Sequence, residues 1–297
     1  MPCSSLVVKK TAVITGATGG VGSALARDLA RRGYRLILPC RNPDKCQTLA
    51  ENIRLGNPAA ELEFILCDLS DLNSVARCGR KIIARHPVID VVIANAATVE
   101  PLFATSAQGI EKTFAINHLA HFALLSWLLD NLFVHSRIIV VASSAARYGS
   151  GAFLDDINYR RRSYGMFRAY ANSKLANLGC ARHFARMLAS RQIACSSIHP
   201  GLLATDIWPR KTLLQKLIIP ILKNHYFWPP ETGARFISEL ACSDFHSETQ
   251  GHFIMGKAVS PPSSLTKDFE NLLLQTSLEL CAEYLPRASR NVGTKSV

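Results

Sequence analysis

Several residues of this chain have the type and spacing to move a proton. Tyr170 and Lys174 are four apart in YANSK. On a helix that spacing puts both on one face. A phenol is a poor base at its ordinary pKa near ~10, and a neighbouring ammonium favours the phenolate and lowers that value. Tyr170 could then give a proton to a carbonyl oxygen, or take one from an alcohol. The plain alternative is an ordinary exposed helix pair. Ser143 and Ser144 close the run RIIVVASS, and a hydroxyl at a strand end can stabilise charge developing on a reacting oxygen. Asn117 stands mid-helix in IEKTFAINHLAHFALL, an unexpected place for a mediocre helix former. It either binds a proton-relaying water or faces solvent. His118 and His121 flank it without the further ligands a metal site needs, so they read as packed or half-exposed histidines.

A second group of residues suits an anion. In TAVITGATGGVG an apolar run ends in glycines. Gly16, Gly20 and Gly22 fit G-x-x-x-G-x-G, and Gly16, Gly19 and Gly22 fit G-x-x-G-x-x-G. Either spacing lets backbone N–H groups approach a pyrophosphate at a helix N-terminus. In LILPCRNPDK no acidic residue stands where an NAD-preferring site would bind the ribose 2′-hydroxyl. Arg41 is there instead, suited to a 2′-phosphate, which points to NADP(H) over NAD(H). A solvated surface arginine is the other reading. Asp68 in CDLS either accepts from an adenine amino group or caps the next helix with Ser70 and Asp71. Asn95 in ANAA could brace its turn, while the small Ala96 and Ala97 let a cofactor pass.

These residues need a scaffold. Apolar runs at 12–15, 34–40, 62–67, 89–94, 137–142 and 193–198, with a weaker one at 252–255, alternate with helical patterns near 20–32, 43–54, 71–85, 107–132 and 166–190. Such alternation predicts a single α/β domain with a doubly wound parallel sheet, and the runs are continuously apolar because both faces are covered. Ligands then bind beyond the carboxyl ends of the strands, which is where the glycine loop, Arg41 and the two serines fall.

Composition narrows the field. The 297-residue chain is 48% hydrophobic, enough for a sizeable core. No apolar stretch approaches the ~20 residues that span a bilayer, and MPCSSLVVKK is no signal peptide, so a cytoplasmic location is expected. The nine cysteines are scattered singly without a C-x-x-C pair, which argues against a disulfide framework or zinc. The net charge of +12 is dispersed apart from Arg160–Arg162 and a looser Lys211, Lys216, Lys223 group. No aromatic-interleaved basic stripe is present, so nucleic acid is not an expected partner.

Taken in order, TGATGGVG, CRNPDK, CDLSD, ANAA, FAINHLAHF, RIIVVASSAA, YANSKLAN and HPGLLATDIW resemble the short-chain dehydrogenase/reductase family over nearly the whole chain. CRNPDK, INHLAHF, FLDDINYRRRSYGMFRAYANSKLAN and PPETGARF are most similar to its retinol dehydrogenase and WW-domain oxidoreductase branch. The resemblance implies a Rossmann-type fold and an NADP-dependent oxidoreductase. Such an enzyme transfers a hydride between the nicotinamide and a carbonyl or a primary or secondary alcohol. It selects Gly16, Gly20 and Gly22 as the functional glycines, leaving Gly19 a permissive slot. By position it implies Asn117, Ser144, Tyr170 and Lys174 as catalytic residues. For the cofactor it implies Thr15, Gly16, Gly20, Val21, Gly22, Arg41, Asp68, Leu69, Asn95, Tyr170, Lys174, Pro200, Gly201 and Thr205, with no metal. It further implies a homodimer paired through the helices bearing Asn117 and Tyr170. The chain departs from the branch in lacking an N-terminal hydrophobic anchor and in having Asn95-Ala96-Ala97 where Asn-Ala-Gly is usual. The first departure points from a retinoid toward another lipophilic aldehyde or ketone.

Residues 202–228 alternate aliphatic, aromatic and basic side chains. They are expected to form a substrate lid. A helix packed on its own core and, through 207–228, a peripheral membrane contact are the alternatives. A helical tail is expected over about 263–297. Two other functions stay open. One is a non-catalytic NADP(H)-binding regulator, which would not need Tyr170 beside Lys174. The other is a sugar-nucleotide epimerase, for which too little chain follows residue 199.

Overall fold

The computed structural model describes residues 9–201, 228–243 and 251–287. Their centre is an eight-stranded sheet. The strands are β1 (Thr11–Ile14), β2 (Arg35–Cys40), β3 (Leu62–Leu66), β4 (Ile89–Ala94), β5 (Leu132–Val141), β6 (Ala194–His199), β7 (Gly251–Ile254) and β8 (Lys257–Val259). Their order is β3-β2-β1-β4-β5-β6-β7-β8. All neighbours run parallel except β7 and β8. The order reverses between β1 and β4, and that switch point opens a crevice at the carboxyl ends of the strands.

Helices cover both faces. They are α1 (Gly20–Arg31), α2 (Pro43–Gly56), α3 (Leu72–Arg85), the single turn α4 (Lys112–Phe114), α5 (Ala120–Leu128), α6 (Met166–Leu188), α7 (Pro230–Cys242) and α8 (Lys267–Cys281). Strand residues alternate between two cores. Val13, Val92, Ile138 and Val140 face the side that packs with α3, α5, α6 and α8. Ala12, Ile14, Val91, Ile93 and Ile139 face the side of α1 and α7. This is why the strands read as unbroken apolar runs.

The expected 107–132 helix is broken up. Residues 105 and 111 form a β-bridge, and Glu111 caps α4 by accepting from the N–H groups of Thr113 (2.8 Å) and Phe114 (2.7 Å). A π-helical turn, Ala115–Leu119, then carries Asn117 into α5. The cysteine expectation also needs correction. Pro43 starts α2 directly after β2, and its first turn brings Cys46 back against Cys40 as a disulfide pair. The six other described cysteines are free. No helix among the described residues is long and apolar enough to cross a membrane.

Candidate active site

At the switch point lies a cleft of about 880 Å³. The glycine loop forms its floor. Gly16 has φ +69°, and a Cβ there would come within 2.8 Å of the Ala96 Cα. At Gly22 a Cβ would come within 2.1 Å of the Gly16 carbonyl oxygen, whereas at Gly19 it would meet that oxygen at an ordinary 3.5 Å. Gly16 and Gly22 are therefore required and Gly19 is permissive. Helix α1 has no acidic residue in its first turn, so its N–H groups and dipole are left to an anion.

Thr15 sits beneath this loop. Its hydroxyl accepts from the backbone N–H groups of Asn95 (2.9 Å) and Ala96 (3.1 Å). The Asn95 amide donates back to the Thr15 carbonyl at 2.9 Å. Asn95 thus braces the turn after β4. Ala97 is not among the described residues with positive φ, so an alanine fits where glycine was usual.

At the far end of the cleft, Arg41 and Asn42 follow β2. Asn42 caps α2 by accepting from the Lys45 N–H at 3.0 Å, and Lys45 also lines the cleft. Lys45 was missed from the sequence, although its place one turn into the helix behind Arg41 was visible in CRNPDK. Asp68 and Leu69 line the wall. Capping of α3 belongs to Asp71, while Asp68 accepts from the Ser70 hydroxyl at 2.7 Å.

Tyr170 and Lys174 project from α6 into the cleft, 7% and 1% exposed. The Lys174 ammonium donates to the Val141 carbonyl at 3.0 Å and lies 5.7 Å from the centre of the Tyr170 ring. Burial pushes Lys174 down to about 7. The Tyr170 pKa lies above its ordinary value, not below it as expected. Burial raises it, and only a hydrogen bond with the Ser143 side chain works the other way. The phenol is therefore protonated at neutral pH and able to donate.

Ser143, not Ser144, lines the cleft and reaches Tyr170. Ser143 keeps extended backbone (φ −156°, ψ 151°) beyond the end of β5, and Ser144 opens a 3-10 turn, which takes it out of the cleft.

Asn117 lies wholly buried behind the cleft. Its side-chain oxygen accepts from the Thr98 N–H at 2.7 Å. Its amide donates to the Thr98 carbonyl and to the Ser173 hydroxyl, both at 3.0 Å. A mid-helix asparagine is explained by this bracing, which joins α6 to the loop after β4. His199, Pro200 and Gly201 close the cleft at the end of β6. Of the expected cofactor residues, Gly16, Gly20, Val21, Gly22, Arg41, Asp68, Leu69, Asn95, Tyr170, Lys174, Pro200 and Gly201 all line it. Thr205, like 202–227 as a whole, lies outside the described residues. Among the described residues no group of three or more His, Cys, Asp or Glu is placed to hold a metal.

A family model described as short chain dehydrogenase matches residues 10–155. Human retinol dehydrogenase 13 is 31% identical over 275 residues, covering 91% of this chain and 83% of that protein. Human polyprenol dehydrogenase is 30% identical over 232 residues, covering 76% and 70%. A crystal structure of a protein from Mycobacterium Paratuberculosis superposes with a TM-score of 0.74 at 29% identity, covering 93% of this chain and 95% of that one.

Proposed function

Because this chain belongs to the short-chain dehydrogenase family and is an NAD(P)-dependent oxidoreductase of CH–OH and C=O groups, we propose that it reduces a lipophilic aldehyde or ketone with NADPH. The observation that carries this reading is the Ser143–Tyr170–Lys174 cluster, its tyrosine and lysine buried, at one end of a cleft whose other end holds Arg41 and Lys45.

The cleft fits a dinucleotide in shape and chemistry. Gly16 and Gly22 let the loop close on Ala96 and on itself as no side chain would allow, and the α1 N-terminus offers N–H donors to a pyrophosphate. Arg41 and Lys45 would hold a 2′-phosphate, Asp68 and Leu69 the adenine side, and Asn95, Lys174 and Pro200–Gly201 the nicotinamide end. A nicotinamide cofactor bound there supplies the hydride. The protein supplies the rest. Ser143 holds the substrate carbonyl oxygen by a hydrogen bond and polarises it. Tyr170, kept neutral by burial, donates its proton to that oxygen. Lys174, when protonated, stabilises the phenolate left behind. Asn117 braces Ser173 and the loop at Thr98, and so holds α6 in register with the cleft.

In this reading, the segment 202–228 serves as the substrate lid, with a peripheral membrane contact through 207–228 as its second use. Both relatives named above carry names of lipophilic alcohols, which favours an apolar substrate here. A homodimer through α5 and α6 is not part of it, because α8 packs on α6 and on the turn that leads into α5.

The test is turnover of retinal, medium-chain aldehydes, a steroid ketone and a quinone, with NADPH and NADH in parallel. Tyr170→Phe should still bind NADPH while kcat falls by about 10²–10⁴-fold, the usual contribution of a general acid. Full activity in that variant would end this mechanism. Binding of NADPH by the wild type without turnover on any carbonyl would favour a regulator. Arg41→Asp should weaken NADPH by roughly 10–100-fold, the size of a lost charge-assisted hydrogen bond, and leave NADH within about threefold. An unchanged NADPH/NADH ratio would refute the 2′-phosphate assignment.

A further inference from the structure

His121 lies one turn after Asn117 and is 2% exposed. A buried imidazole must satisfy both ring nitrogens. Its Nδ1 is 3.0 Å from the backbone oxygen of Asn117. A carbonyl can only accept, so Nδ1 carries the proton. Nε2 is then an acceptor, and the group 2.9 Å from it is the Thr15 hydroxyl, which donates.

That donation has a consequence on the other side of Thr15. With its proton directed at His121, the hydroxyl has its lone pairs free for the N–H groups of Asn95 and Ala96. The alternative acceptor, the Ile93 carbonyl, is 3.5 Å away, at the limit of a hydrogen bond. One continuous path of hydrogen bonds therefore runs from the turn after β4, through Thr15 and His121, to the Asn117 carbonyl. The Asn117 side chain extends it to Thr98 and Ser173.

The path crosses an unusual piece of backbone. In the π-turn the Ala120 N–H reaches back five residues, to the Ala115 carbonyl. Such turns are rare and often mark functional sites. His121 holds this one from within. The path also needs the neutral imidazole, since an imidazolium has no lone pair for Thr15. Burial and the nearby Lys174 charge keep it neutral by pushing its pKa down to about 4.

We propose that His121 is a positioning residue that ties the cofactor turn of Thr15, Asn95 and Ala96 to the π-turn of Asn117, setting cofactor affinity through one ring nitrogen and turnover through the other. This rests on reading the cleft as a nicotinamide and carbonyl site.

The two halves separate by substitution. An asparagine amide nitrogen takes the place of Nδ1, and a glutamine oxygen reaches the place of Nε2. His121→Asn should keep kcat within about threefold of wild type and weaken NADPH binding about tenfold, the worth of one hydrogen bond. His121→Gln should do the reverse. NADPH affinity is read directly by titrating the cofactor's fluorescence. Thr15→Val, which also removes the acceptor of the Asn95 and Ala96 N–H groups, should lose at least as much affinity as His121→Asn, and the double variant Thr15→Val/His121→Asn should lose no more than Thr15→Val alone. Equal losses in both constants for His121→Asn and His121→Gln, or multiplying losses in the double variant, would overturn the proposal. Thermal midpoints within a few degrees of wild type confirm that both variants fold. If the wild type binds NADPH but turns over no carbonyl, the functional reading fails. The affinity arm then still decides the His121–Thr15 link.

Discussion

At the scale of single residues, the site turns on which of two adjacent hydroxyls enters the cleft. Ser143→Ala should lower kcat by about 10²–10³-fold, as expected for one donor at a developing oxyanion, while Ser144→Ala should stay within about threefold. Steady-state turnover of the best carbonyl substrate checks both, and the opposite order would return the role to Ser144. The sequence shows two serines at a strand end but not which one points inward. Side chains alternate along a strand, but the alternation stops being a guide once the strand ends. Here Val141 is the last residue of β5, and the choice is made by the extended backbone at Ser143 and the 3-10 turn that starts at Ser144. The Tyr170 and Lys174 pair was legible because helix spacing fixes it. Their protonation was not, since it depends on how deeply α6 buries them.

At the scale of elements, the loop between β1 and α1 makes the cleft possible. Gly22 starts the helix so close to Gly16 that a methyl group would strike the Gly16 carbonyl. Gly22→Ala should therefore abolish measurable NADPH binding in a fluorescence titration. Gly19→Ala should leave the dissociation constant within about threefold, because nothing nearer than ordinary contact awaits its Cβ and its φ of −90° suits any residue. Similar losses at both positions would mean that the loop adopts a different turn. The strand–helix alternation of β1 to β6 was legible from apolar periodicity, because a sheet covered on both faces leaves few polar residues in its strands. The region 107–132 was less so. Its sequence is apolar enough for one long helix, yet Glu111 caps it late and the π-turn interrupts it. Both depend on partners far along the chain, such as the Asn158 side chain on the Glu111 N–H and Thr15 on His121. The antiparallel β7–β8 edge was equally hidden, since three residues of β8 carry no periodic signal.

At the scale of the whole molecule, α8 decides what can pack against the back of the site. It packs on α6 and on the π-turn that leads into α5, and family resemblance would pair these helices between two subunits. Ser277 pairs with His118 at 2.8 Å, Leu273 fills the space left by Gly179, and the Trp127 indole donates to the Tyr284 carbonyl at 2.8 Å. Glu270, 4% exposed, meets Arg182 at 3.0 Å and Arg186 at 2.5 Å. On the same face Phe269, Leu273 and Cys281 are buried, so peeling α8 away to admit a partner would return that apolar surface to water. Within this chain the helix covers the apolar back of α6 and supports the turn that holds Asn117. The sequence shows an amphipathic helix near its end but not the surface on which that helix docks, because docking is a tertiary choice. The expected outcome is a monomer of 32.6 kDa by sedimentation equilibrium at concentrations where the enzyme turns over. Gly179→Leu should displace α8 and cost about 1–3 kcal/mol or more of stability, as overpacking does, read as a lower thermal midpoint. It should also lower turnover through the loosened Asn117 turn. A dimer of undiminished activity in which α5 and α6 are protected from hydrogen exchange by the partner would show that α8 leaves those faces in solution.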